Sequence, residues 1–322
     1  MIEVSRLKKY FGNIRAVDDI SFSVKDGERF ILLGTSGSGK TTTLKMLNRL
    51  IEPDEGTVTI DGKRHDDQPV ELLRRQMGYV LQNTGLFPHY TIEENISIVP
   101  DLLGWDKDKT KKRIAELLIK FHLPPETYMA LYPAQLSGGQ QQRVGFARAL
   151  VANPPILLMD EPLGALDPVT RQQIKGEFKK LNELKGKTII LVTHDISEAI
   201  ELGNRICVMD GGKIQQTGSA QELLLHPKNE FVKHFFSHNH FLLQLNAFHL
   251  ADITSYLQEA SSPGKISELN PASTLMEVVG ELSSFATAKD GIVFHDEKAD
   301  KFFRIDMVSL FTAVQQKLNP GQ

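Results

Sequence analysis

Gly34-Thr35-Ser36-Gly37-Ser38-Gly39-Lys40-Thr41 stands between an apolar run, residues 30–33, and a stretch of helical character, residues 41–48. The spacing G-x4-G-K-T between a strand and a helix reads as a phosphate cradle on an α/β sheet. Glycine lets successive backbone N–H groups curl around an anion, and the helix behind them adds the positive end of its dipole. Gly34, Ser36, Gly37, Ser38, Gly39, Thr41 and Thr42 are therefore expected to contact phosphate. Lys40 is expected to reach the outer phosphates, and the Thr41 hydroxyl to ligate Mg²⁺, which prefers oxygen. Such a loop alone leaves kinases, GTPases and helicases open.

Outward from the cradle, residues 2–7, 30–33, 57–60, 77–81, 156–159, 188–192 and 205–209 read as strands. Residues 41–48, 109–121, 140–151, 168–183 and 197–202 read as helices. Short strands alternating with helices over the first 235 or so residues imply a parallel sheet covered on its faces. Residues 86–152 carry much helix and little strand and read as a helical insertion. The run at 156–159 ends in Asp160 and Glu161. A buried strand of that kind delivers both carboxylates to the carboxyl edge of the sheet, beside the cradle. Asp160 is expected to hold Mg²⁺, through water, and Glu161 to act as general base on the attacking water.

Leu136-Ser137-Gly138-Gly139-Gln140 precedes the helix at 140–151 and lies about twenty residues before Asp160. With the cradle and the Asp-Glu pair, it makes the chain resemble the ABC transporter ATPases, whose signature is LSGGQ. The resemblance covers about residues 1–235. It implies a P-loop NTPase cassette, a mixed sheet core with an inserted helical subdomain, that uses ATP and Mg²⁺. It also implies a head-to-tail homodimer. In that dimer Ser137, Gly138, Gly139, Gln140 and Asp167 of one chain would meet the ATP held by the other, because a helix N-terminus with serine and glycine amides suits an anion.

The smaller motifs follow the same family. Gln82 resembles the glutamine that senses Mg²⁺ and the membrane partner, and is counted with Thr41 and Asp160 as a metal contact. Ala165-Leu166-Asp167 resembles the D-loop. His194 resembles the histidine that orients the γ-phosphate and water. Tyr10-Phe11-Gly12 resembles the adenine-stacking loop, with Phe11 the expected stacker and Tyr10 the runner-up; Val17 joins the nucleotide-binding set.

A cassette without membrane spans resembles an importer subunit that works with a separate permease and an extracytoplasmic substrate-binding protein. The stretches MGYVLQNTGLFPHYTIEEN (77–95), VPDLLGW (99–105) and NRLIEP (48–53) resemble the quaternary-amine uptake subfamily, importers of glycine betaine, carnitine, choline or related osmoprotectants. Import of amino acids or another polar solute is the alternative. A soluble ABC ATPase acting on ribosomes or DNA is the remote one, since such proteins usually carry two cassettes or long coiled coils, and this chain shows neither.

The 322 residues suffice for one large domain and a smaller one. With 41% apolar and 24% charged residues the composition is that of a soluble globular protein. No run approaches the ~18 apolar residues of a membrane span, and Met1-Ile2-Glu3-Val4 opens no signal peptide. The expectation is a peripheral protein on the cytoplasmic face of the membrane. A net charge of −3 lacks the basic footprint of a nucleic-acid binder. The single cysteine, Cys207, lies in a strand and reads as a buried, inert thiol.

The cassette is expected to span residues 1–238, and a C-terminal domain residues 239–322. Residues 241–322 hold ten acids against six bases, a net charge of −4. Residues 241–257 read as a helix, and 261–264 (SSPG) as a break. Residues 266–317 resemble one cystathionine-β-synthase-type (CBS) module: a strand and first helix within 267–279, a hairpin from 291–296 and 302–306, and a closing helix over 307–317. This small α+β domain would serve regulation or dimerisation. His234, His238 and His240 at the junction read as solvated, because no Cys or acid completes a metal-ligand spacing.

Overall fold

A computed structural model describes residues 1–260, 269–284, 292–296 and 300–318. The chain divides into two compact units, Met1–Thr217 and Gly218–Gln322. The first runs β1 (Ile2–Phe11), β2 (Ile14–Val24), β3 (Arg29–Gly34), α1 (Lys40–Leu47), β4 (Glu55–Ile60), β5 (Lys63–Arg64), α2 (Val70–Arg75) and β6 (Met77–Val80). It continues through α3 (Ile92–Leu102), α4 (Lys107–Lys120), α5 (Pro125–Tyr128), α6 (Gly138–Leu150), β7 (Ile156–Asp160), α7 (Pro168–Lys180), β8 (Thr188–Thr193), α8 (Ile196–Leu202), β9 (Arg205–Asp210) and β10 (Lys213–Gly218).

Two sheets form. One is antiparallel, in the order β2-β1-β4-β5. The other has the order β10-β9-β3-β8-β7-β6, with β9, β3, β8, β7 and β6 parallel. Strands β7 and β8 are buried at every residue. That explains their unbroken apolar runs: a parallel strand covered on both faces has no solvent side to alternate with. Residues of both sheets and of α1 share one core, in which Phe22 stacks on Phe30 with ring centres 5.1 Å apart. Register sets the site. Leu33 pairs with Thr193, Asp160 with Val192, and Gly34 with Met209, so the carboxyl ends of β3, β7, β8 and β9 reach one edge together. Cys207, in β9, is fully buried, and burial pushes its thiol up to about 12.

Some elements depart from the sequence reading. β2 lies outside the strands read from the sequence; Asp19 takes a left-handed turn (φ 60°) that breaks its alternation, and Val17, Ile20, Phe22 and Val24 still reach the core. β1 extends to Phe11 through a similar irregularity at Arg6 (φ 48°). α3 falls within the helical insertion read over 86–152, although no helix is named there, and it carries Pro100 inside it. Its start is set by a reciprocal cap, with Thr91 N donating to Glu94 Oε2 (2.7 Å) and Glu94 N to Thr91 Oγ1 (3.2 Å). The helix expected over 168–183 ends at Lys180, where Leu181 turns extended ahead of a short 3₁₀ turn, Asn182–Leu184.

The second unit contains α9 (Ala220–Leu225), α10 (Glu230–Phe235), α11 (His240–Ala247), α12 (Leu250–Ile253), β11 (Gln258–Glu259), α13 (Leu275–Ser284), β12 (Ile292–Asp296), β13 (Lys301–Ile305) and α14 (Met307–Leu318). Its sheet is antiparallel, in the order β11-β13-β12. The division falls ahead of residue 238 because α9 packs with the tail: Gln221 Nε2 donates to Ala247 O (3.2 Å) and Asp252 Oδ2 (2.8 Å). The single helix expected over 241–257 is broken at Phe248-His249. There the backbone turns extended, His249 bridges Thr274, and Leu275 N donates to Phe248 O at 2.9 Å. These non-local bonds and the burial of Phe248 and Leu250 outweigh local helical preference. The hairpin and closing helix form as read, while residues 261–264, 266–268 and 291 lie outside the described residues. Among the described residues no helix is long and apolar enough to cross a membrane.

Candidate active site

The loop after β3 is shaped by its glycines. Gly37 (φ 78°) and Gly39 (φ 98°) sit in the left-handed region. A Cβ on Gly39 would lie 2.3 Å from Ala16 O, and one on Gly34 2.1 Å from Met209 O. Lys40 is buried inside the curl, donating to Gly34 O (2.9 Å), Thr35 O (2.7 Å) and Ser38 Oγ (3.3 Å). Burial lowers its pKa, and the nearby Glu161 and Asp160 oppose that shift. Ser38 is buried, Ser36 and Gly37 are exposed, and Thr42 is half-buried.

Four further residues converge at the ends of β7, β8 and β6. Thr41 Oγ1 donates to Asp160 Oδ1 at 2.6 Å. Burial raises the Asp160 pKa, with the Thr41 hydroxyl pulling the other way. Glu161 leaves β7 in a left-handed conformation, φ 44°, pinned by its N–H on Val192 O at 3.0 Å. A non-glycine residue there stores strain of about 1–3 kcal/mol, a cost that clusters at functional sites. Two groups meet its Oε2: Gln82 Nε2 donates at 3.2 Å and His194 Nδ1 lies at 3.1 Å. A cradle, a desolvated lysine and a carboxylate held between an amide and an imidazole can bind a nucleotide's phosphates and activate a water beside them.

The protein oxygens also suit Mg²⁺. Thr41 Oγ1 and Asp160 Oδ1 stand side by side, with the Gln82 amide bonded to the neighbouring Glu161. This is a small hard-oxygen set that leaves positions for phosphate and water, as Mg²⁺ requires.

The remaining expected residues lie apart from this cluster. Phe11 ends β1 as an exposed residue (47%), and Lys9 Nζ sits 5.6 Å from its ring centre. Tyr10 is half-buried, and Val17 is buried, with Gly39 packed close to it. Ser137 caps α6, accepting from Gln140 N at 3.3 Å while Gln140 Oε1 accepts from Ser137 N at 2.9 Å. Ser137 and Gly138 are exposed, whereas Gly139 packs against Thr170 of α7. Asp167 caps α7 through Val169 N (3.1 Å) and Thr170 N (3.0 Å), bonds that hold its carboxyl below the usual range, the Thr170 side chain foremost. The sequence reading missed Tyr128, whose hydroxyl accepts from Gln140 Nε2 at 3.0 Å. Nothing in the motif itself points to a residue twelve positions upstream.

The cradle at the end of β3 and the acids at the end of β7 define a P-loop NTPase. The model of the ABC transporter family matches residues 17–164. The chain is 52% identical over 237 residues to the glycine betaine/carnitine/choline transport ATP-binding protein OpuCA of Bacillus subtilis, a match that takes in 73% of this chain and 62% of that protein. It is 46% identical over 258 residues to the glycine betaine uptake system ATP-binding protein YehX of Escherichia coli, covering 80% of this chain and 83% of that one. In structure it is similar to the dimeric bacterial ABC transporter cassette MJ0796, with a TM-score of 0.62 and 38% identity over 68% of this chain and 98% of that one. The chain belongs to the ABC transporter ATP-binding proteins.

Proposed function

We propose that this chain is the ATP-hydrolysing subunit of an ABC importer for an osmoprotectant such as glycine betaine, carnitine or choline. The observation that carries hydrolysis is the Glu161 carboxylate, placed beside the cradle with Gln82 and His194 on one oxygen. In this reading Lys40 and the loop amides hold the phosphates of ATP, and Lys40 acts strongly because it is already desolvated. Glu161 accepts the proton of the attacking water, and His194 orients that water against the γ-phosphate. Mg²⁺, when bound, would rest on Thr41, Asp160 and Gln82 and neutralise phosphate charge. Phe11 would stack on adenine.

Ser137 and Gly138 are exposed, and the bonds of Ser137 and Gln140 run to each other and to Tyr128. That arrangement supports a composite site, in which the signature and Asp167 of one chain complete the cradle of a second copy. Exposed Phe87, whose ring centre lies 5.5 Å from that of exposed Tyr90, borders a cavity of about 240 Å³ also lined by Tyr79, Ile98 and Pro154. This surface would receive a permease segment, placing the protein at the cytoplasmic face of a membrane with a substrate-binding protein acting from the other side. The tail, a CBS-like module, would regulate or pair cassettes. The solute rests on kinship to relatives named for glycine betaine, carnitine and choline transport.

Purified chain should hydrolyse ATP in a Mg²⁺-dependent way, and cells lacking it should lose uptake of labelled glycine betaine, carnitine or choline at high osmolarity. Absent hydrolysis would overturn the catalytic reading. Hydrolysis with unchanged uptake of all three solutes would overturn the solute.

A further inference from the structure

Arg171, in the first turn of α7, takes no part in the chemistry described above, yet it touches two of the loops that do. Its Nη2 reaches Gly164 O (3.4 Å) and Leu166 O (3.2 Å), the carbonyls either side of Ala165 in the D-loop. Its Nη1 lies 3.7 Å from Asp195 Oδ2, on the residue directly after His194. The turn that carries His194 is closed by its own side chains. Asp195 N donates to Thr193 Oγ1 at 3.0 Å, Glu198 N donates to Asp195 Oδ1 at 3.1 Å, and Thr193 Oγ1 donates to Glu198 Oε2. A turn braced in this way moves as a unit, and Arg171 grips it from α7.

We propose that Arg171 is a positioning residue that ties the placement of His194 to that of the D-loop, so the loop before Asp167 and the histidine facing Glu161 shift together. The inference rests on the hydrolytic reading above. A planar guanidinium suits this task because its fixed fork can hold carbonyls and a carboxylate at once. Magnitudes say where the effect should appear. The Arg171 and Asp195 side chains are 32% and 33% exposed, and an ion pair so open to solvent adds little to stability. A misplacement of about 1 Å in a catalytic group, by contrast, can cost on the order of a hundredfold in rate. Loss of Arg171 should therefore register in turnover rather than in folding or ground-state binding.

The test uses the full-length protein. Arg171→Ala should lower kcat about tenfold or more, while KM for ATP, ADP affinity and the unfolding midpoint stay close to wild type. Arg171→Lys, which keeps the charge near Asp195 without the fork, should recover part of the loss. Asp195→Asn keeps the α8 cap, since Asn caps as well as Asp, and removes the ion pair. The double variant Arg171→Ala/Asp195→Asn should then be no slower than Arg171→Ala alone. Multiplicative losses, a wild-type kcat in Arg171→Ala, or a loss that merely follows the folded fraction would each overturn the link while leaving the catalytic reading intact. A wild-type protein without ATPase activity would overturn both.

Discussion

The starts of α1 and α6 would both grip phosphate, yet they are built in opposite ways. At α1 the residue before the helix is Gly39, left-handed at φ 98°; no side chain caps the helix, and no acid sits in its first turn. At α6 Ser137 and Gln140 close a reciprocal cap on each other's N–H groups. The first amides of any helix lack partners within it. α1 leaves them to an anion and puts Lys40 beside them, whereas α6 supplies its own oxygen. One is a cradle formed in advance within a single chain. The other is a stable surface cap that can serve a phosphate only when another molecule brings it, and the difference supports a site completed between two copies.

The strongest way to break this comparison acts at the carboxylate the α1 cradle serves. Glu161→Gln should retain ATP binding and lose roughly 10²–10⁴ in hydrolysis rate. It should also trap the closed dimer, seen as an ATP-dependent shift in gel filtration. Near-normal hydrolysis would remove Glu161 as base and with it the catalytic meaning of the α1 side. Next in size is Gly39→Ala, which puts a Cβ 2.3 Å from Ala16 O at a left-handed φ. Strain of that kind costs about 1–3 kcal/mol. Thermal unfolding and nucleotide titration should both report the loss; an unaffected variant would show that the cradle does not need its glycine.

The start of α8 sharpens the contrast: Asp195 caps it, and Glu198 in its first turn is buried against the Thr193 hydroxyl. Burial pushes this carboxyl up from 4.5 to about 7, against the pull of the Thr193 hydroxyl. The folded chain thus keeps a proton that the unfolded chain releases above pH 4.5. Its contribution to stability is full below that pH, falls as pH rises towards 7, and is gone above it. Glu198→Gln removes the titration, so the variant should gain about 1–3 kcal/mol relative to wild type between pH 5 and pH 8. Unfolding midpoints with no such divergence would contradict it. The smallest effect belongs to α6: Ser137→Ala should cost about 1 kcal/mol through the lost cap. If the cap and the phosphate contact are the same oxygen, ATPase activity of the dimer should fall as well; stability loss without activity loss would separate them.

Much of the site was legible in the sequence because its motifs are local. The cradle, the Asp160-Glu161 strand end and the Leu136–Gln140 signature each depend on residues a few positions apart, where spacing alone determines which backbone groups and side chains can meet. The continuous apolar runs of β7 and β8 likewise announced strands covered on both faces. Other features were decided by contacts across long separations. β2 formed despite the left-handed turn at Asp19 because β1 paired with it, and the helix expected over 241–257 yielded to bonds from residues 273–275. Glu161 stands 79 positions from Gln82 and 33 from His194, and only the parallel register of β6, β7 and β8 brings them to one oxygen. The grip of Arg171 on both the D-loop and Asp195 had no sequence signal, since an arginine early in a helix reads as a solvated charge until the packing of α7 beside the His194 turn shows what it holds.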